Sequence, residues 1–79
     1  MNTRPRFLVA WDMLTRNGAR RTYTHWYHTQ EEAERLYQQK RQAFSTIEIW
    51  LIRSEIVASA TGEMLTNYEY IHKPEYVWR

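Results

Sequence analysis

Residues Phe7 to Leu14 alternate: Phe7, Val9, Trp11 and Met13 fall on one side of an extended chain, and Leu8, Ala10, Asp12 and Leu14 on the other. Period-two alternation of β-forming residues predicts a strand. Asn17-Gly18 follows, the dipeptide that suits a two-residue type I′ turn because both central positions need positive φ. Arg21 to His28 is rich in Thr and aromatic residues and reads as the return strand. A two-residue loop at Asn17-Gly18 would set Met13 opposite Thr22, Trp11 opposite Thr24, Val9 opposite Trp26 and Phe7 opposite His28. On that register Phe7, Val9, Trp11 and Trp26 form the core face. Tyr23, His25 and Tyr27 then stand on the other face beside Leu8, Ala10 and Asp12.

Thr29-Gln30-Glu31-Glu32 is a capping-box pattern, with a hydroxyl at the N-cap and a carboxylate three residues on. A helix is expected from there to about Phe44, with Ala33, Leu36, Tyr37, Ala43 and Phe44 on one stripe. Acids in its first turn and Lys40-Arg41 near its end suit the helix dipole. Thr46 to Ala60 is long and β-branched, and its alternation changes phase. Ile47, Ile49 and Leu51 share one phase; Trp50, Ile52, Ile56 and Ala58 share the other. A bulge near Arg53, or partial cover on both faces, accounts for this. If the helix covers Ile49 and Leu51, Trp50 lies on the open face; if the strand bulges earlier, Trp50 is core. Thr61-Gly62 marks a second turn, and Met64, Thr66, Tyr68, Tyr70 and His72 alternate after it. Pro74 is expected to end that strand because it cannot donate to a ladder. Glu75 to Arg79 is then a short aromatic tail.

The order is hairpin, helix, hairpin: an α+β, two-layer domain, with one helix on one face of a four-stranded antiparallel sheet. Residues 1–79 form one domain, as the length of 79 suggests. The uncovered face must be solvated or serve as a docking surface.

Composition narrows the chemistry. Aromatic residues make up 15% of the chain, and cysteine is absent, which excludes disulfides and cysteine-ligated metal. A small secreted domain usually needs such staples, so the cytoplasm is expected. The first twenty residues carry Arg4, Arg6 and Asp12 without a long apolar run, so no secretory signal is expected. The longest apolar stretch, Phe7 to Trp11, is far below the roughly 20 residues of a membrane span, as is Ile49 to Ile52. Net charge is +2, with Arg concentrated in the first thirty residues and acids toward the end.

No nucleophile elbow, phosphate loop or HExxH pattern occurs. His25 and His28 are three apart on a strand and point to opposite faces, so they do not chelate together. His72 joins His25 only if their strands adjoin. No catalytic, cofactor or metal site is expected, and the chain is not read as an enzyme. What remains is an aromatic and guanidinium surface. Arg20, Arg21, Tyr23, His25, Tyr27 and Trp50 are the candidate partner contacts, with Tyr rings supplying buried area and Arg forks pairing with carboxylates or phosphates. A protein or nucleoprotein partner is the leading reading. The alternatives are a single-stranded nucleic-acid module stacking bases on the same rings and a homodimer burying that face.

The size, the hairpin around Asn17-Gly18, the helix capped at Thr29 and the large uncovered aromatic surface together resemble small accessory proteins of phages and mobile elements, anti-CRISPR-type inhibitors among them. That resemblance implies an inhibitor that binds a host nucleoprotein or defence complex and blocks it sterically. Many members of that group are acidic nucleic-acid mimics; a slightly basic chain argues against mimicry here.

Overall fold

The computed structural model describes the backbone of residues 6–59 and 62–78, and the side chains of residues 6–54 and 68–78. Four strands and one helix follow in the order β1 (Phe7–Leu14), β2 (Arg20–Tyr27), α1 (Gln30–Arg41), β3 (Thr46–Ser59) and β4 (Gly62–Tyr76). All pairings are antiparallel and the strand order is β2-β1-β3-β4. The fold is therefore α+β, an open four-stranded sheet with one helix. The predicted turn at Thr61-Gly62 and the side chains of Ile56, Ala58, Met64 and Thr66 lie outside the described residues.

The central strands β1 and β3 carry the core. Val9, Trp11, Ile49 and Leu51 meet Ala33 and Tyr37 of the helix, with Phe7, Met13, Tyr27, Leu36, Ile71 and Val77 packed around them. The Trp11 indole N–H is buried and has no partner among the described residues. Lys40 sits over that ring with Nζ 5.5 Å from its centre.

The first hairpin departs from the expected register. Phe7 pairs with Tyr27, Val9 with His25 and Trp11 with Tyr23. The loop is one residue longer than a type I′ turn. Gly18 N–H donates to the Thr15 carbonyl at 3.0 Å, and Thr15 N–H donates to the Ala19 carbonyl at 2.7 Å. Gly18 takes positive φ, +78°. This is the three-residue connection, a turn followed by a left-handed glycine. A one-residue slip moves every side chain of β2 to the other face. Tyr23, His25 and Tyr27 therefore stand on the helix side, with Phe7, Val9 and Trp11, and Trp26 stands on the helix-free side with Leu8. No atom lies within 4 Å of a Cβ built on Gly18, so only the backbone resists substitution there. Gly18→Ala is expected to cost about 1 kcal/mol through the left-handed φ, measurable by urea unfolding.

The helix begins where the sequence indicates. The Thr29 hydroxyl accepts from Glu32 N–H at 3.3 Å and donates to the Glu32 carboxylate at 2.8 Å. The carboxylate thus closes the box on the hydroxyl itself. The helix ends at Arg41, three residues before Phe44. There Ala43 N–H tightens onto the Lys40 carbonyl, which also accepts from the Thr46 hydroxyl at 2.6 Å. That hydroxyl satisfies a terminal carbonyl of the helix and draws the chain into β3. Phe44 is left 82% exposed, outside the core stripe.

β4 also runs further than expected. Pro74 does not end it; pairing continues to Tyr76 opposite Glu48. Pro74 lies on an edge strand where the register shifts between Ile49 and Leu51, so no ladder bond is lost at it. A second shift between Leu51 and Ile52 accommodates Ile71 as an extra residue. This bulge sends Tyr70 to the helix-free face and His72 to the helix face. A third shift, between Ser54 and Glu55, falls next to Arg53, where the phase change pointed.

Candidate protein-docking face of the sheet

Alternation and register place the helix-free face in rows that cross the sheet from β2 to β4. One row is Thr22, Asp12, Glu48 and Tyr76; the next is Thr24, Ala10 and Trp50; the third is Trp26, Leu8, Ile52 and Tyr70. Tyr68 lies beyond, opposite Ser54. No described helix or strand covers this face. Even so, Ala10 is only 1% exposed and Ile52 only 8%. Among the described residues, the groups placed to shield them are their large neighbours on the same face, Leu8, Trp26 and Trp50, all half-buried. Beside this apolar centre stand Tyr68, Tyr70 and Tyr76, all exposed. The Tyr68 and Tyr70 rings meet edge-on with centres 5.9 Å apart.

One end of the face is polar and internally neutralised. The buried Asp12 accepts from Arg20 Nε at 2.9 Å and from the Thr22 hydroxyl, and the Arg20 fork also lies 3.6 Å from Glu48. Burial alone would push the Asp12 carboxyl up. The bonds from Thr22 and Arg20, with the Arg20 charge, outweigh it and hold the group below the usual carboxylate range. The bond to Asp12 in turn holds Arg20 above its ordinary value.

The six sequence-derived contact residues divide between two surfaces. Arg20 and Trp50 lie on the helix-free face, where Trp50 joins Trp26 and Ile52. Arg21, Tyr23, His25 and Tyr27 form a strip on the other side of β2, beside the helix, so the expectation that they share the open face is corrected by the register. The Tyr23 ring stacks at 5.9 Å and 22° on Trp11, and His25 lies 4.4 Å from Tyr27. Because β2 is the sheet edge, the helix does not close over this strip, and Tyr23 remains 41% exposed. A shallow hollow of about 210 Å³ between strip and helix is lined by Tyr27, Glu32, Arg35, Leu36 and Gln39.

Sequence reasoning missed Trp26, Tyr70 and Tyr76 as parts of the open surface. Trp26 was hidden by the register, and Tyr76 by the expectation that Pro74 closes the strand. Tyr70 is in phase with His72 along the sequence, and only the Ile71 bulge separates them.

On the helix side, β4 is fastened to α1 by polar groups. His72 Nε2 lies 2.8 Å from the Glu34 carboxylate, and its ring stacks on Tyr37 at 4.2 Å. Arg41 grips Glu75 through Nε and its terminal nitrogen at 3.1 and 2.9 Å. That grip holds the Glu75 carboxyl below its usual range. Burial, with the Glu75 charge, holds the Tyr37 phenol above its own. His25 and His72 sit on opposite edge strands, so the strand adjacency that a shared metal required is not present. Among the described residues no group of three or more His, Asp or Glu gathers, and no helix is long and apolar enough to cross a membrane. Comparison with protein-family models, with curated proteins and with solved structures finds no match to this chain.

Proposed function

We propose that this chain is a non-enzymatic binding protein that docks on a protein partner through the helix-free face of its sheet. One observation carries the reading: two half-buried tryptophans and three exposed tyrosines share a sheet face that no described element covers. Large rings held by a rigid sheet give contact area at low entropic cost, and an apolar centre with a polar end is the usual anatomy of a protein interface. Trp50 and Tyr70 are the proposed anchors, with Arg20 and Glu48 at the rim.

The electrostatics favour protein over nucleic acid on this face. Stacking rings are available, but Arg20 is already engaged by Asp12 and Glu48. A single strand needs unneutralised cations along its track. The resemblance to phage-type inhibitors makes a host nucleic-acid-processing or defence complex the first partner class to test. Trp50→Ala combined with Tyr70→Ser is expected to abolish affinity capture of the partner from the native host while leaving the far-ultraviolet circular dichroism unchanged. Undiminished capture by that folded variant refutes the face as the docking site. Oligonucleotide binding that weakens steeply with salt and is lost on Trp50→Ala would favour the nucleic-acid reading instead.

A further inference from the structure

We infer that the outer edge of β2 pairs with β2 of a second copy, joining two sheets into one continuous antiparallel sheet of eight strands. The two edges of the sheet are built differently. β4 carries Pro74 and three register shifts, devices that blunt an edge. β2 pairs with β1 over eight residues without a shift, and from Thr22 to Tyr27 it holds no proline, lysine, aspartate or glutamate. Among the described residues nothing pairs with its outer side.

The backbone settles which groups are free. Thr15 N–H donates to Ala19 and Arg6 N–H to Tyr27, whereas Leu14 N–H donates away from β2, to Ser45. Antiparallel alternation therefore turns the amides and carbonyls of Tyr23, His25 and Tyr27 toward β1, and those of Thr22, Thr24 and Trp26 outward. Such a row accepts only an extended strand.

The side chains identify that strand as a copy of β2 itself. Outward groups must pair with outward groups, so a two-fold axis beside Thr24 sets Thr24 opposite Thr24 and Thr22 opposite Trp26 of the second copy. On the helix side the same register sets Tyr23 opposite His25 and Arg21 opposite Tyr27. Each is a favourable cross-strand pair, ring on ring or guanidinium on ring, and no cation meets a cation. Sliding by one step would instead set Arg21 opposite His25. The helix rests over β1 and β3, through Ala33 and Tyr37, so the strip beside β2 is open to a neighbouring strand. The strips of the two copies then form one aromatic floor between the helices. This pairing is separate from the docking face, which would double in width without being covered.

The test is sedimentation of the full chain across a concentration series. The expected mass is twice 9.7 kDa, falling to 9.7 kDa on Thr24→Pro. That substitution removes an outward N–H and leaves the β1 ladder whole. Thr24→Lys, which keeps the backbone donor and adds an edge charge, is expected to weaken association at least tenfold and serves if the proline variant does not fold. In a half-labelled mixed sample, nuclear Overhauser contacts from Tyr23 to His25 across the two copies should be present. A wild type that stays at 9.7 kDa at millimolar concentration overturns the inference. So does a dimer that survives both Thr24 substitutions in folded protein. A dimer dissolved by Trp50→Ala but indifferent to Thr24 would assign self-association to the docking face and also overturn it.

Discussion

Leu51→Ala is expected to leave most of the chain unfolded in water. Leu51 is fully buried, opposite Val9 on β1 and His72 on β4, under the helix face that carries Tyr37. Removing such a side chain costs about 2–5 kcal/mol, its transfer free energy plus the cavity left behind. A chain of 79 residues rarely holds more than about 3–5 kcal/mol of stability. The helix offers no easy collapse into the gap, because the polar clasp of Glu34 and Arg41 on His72 and Glu75 holds it in place. In a urea titration the wild type should show a cooperative transition and Leu51→Ala little or no native baseline. Phe44→Ala is the matched control. At 82% exposure it should shift stability by less than about 0.5 kcal/mol. A large loss at Phe44 and a small one at Leu51 would mean that the helix runs on and that the core is elsewhere.

That contrast shows what local patterns carry. The strands, the capped helix and the α+β arrangement were legible because each rests on neighbours in sequence: alternation for β1, the Thr29–Glu32 box for the helix start. The helix end was not, because the residue that stops it, Thr46, acts through a hydroxyl bond to a carbonyl six residues back. The face of β2 was not legible either. Asn17-Gly18 serves a two-residue and a three-residue loop alike, and the choice between them decides which side of β2 meets the helix, where Tyr27 joins Phe7 and Leu36. The phase of Trp50 alone fits either face, and the helix covering Ile49 and Leu51 decides it. Bulges at Ile71 and Pro74 are decisions of pairing, made across strands, and one strand's own pattern does not contain them.

Asp12→Asn is expected to destabilise the fold at neutral pH, with the effect fading in acid as the folded carboxyl takes up its proton. Asp12 is the buried acceptor on which Arg20 and Thr22 converge. An amide keeps one acceptor oxygen and turns an NH₂ toward groups that donate. Hydrogen bonds to a charged partner contribute about 1.5–3 kcal/mol, and since the Arg20 side chain is 54% exposed a loss near the lower figure is expected. The folded carboxyl titrates below its unfolded value of about 3.9. Its stabilisation is therefore complete above that unfolded value and is lost as pH falls through the folded one. Glu75, held down by Arg41, loses stabilisation over the same acid range. Wild type and Asp12→Asn should accordingly differ most in urea midpoint near pH 7 and draw together in acid as pH falls through the value of the folded carboxyl. The variant should retain only the slope that Glu75 supplies. A pH-independent gap would assign Asp12 a packing role instead of a charged one. Because the network lies at one end of the helix-free face, the same substitution also frees Arg20 from its carboxylate. If the docking reading holds, partner capture should then change in salt dependence while Trp50 and Tyr70 keep the contact itself.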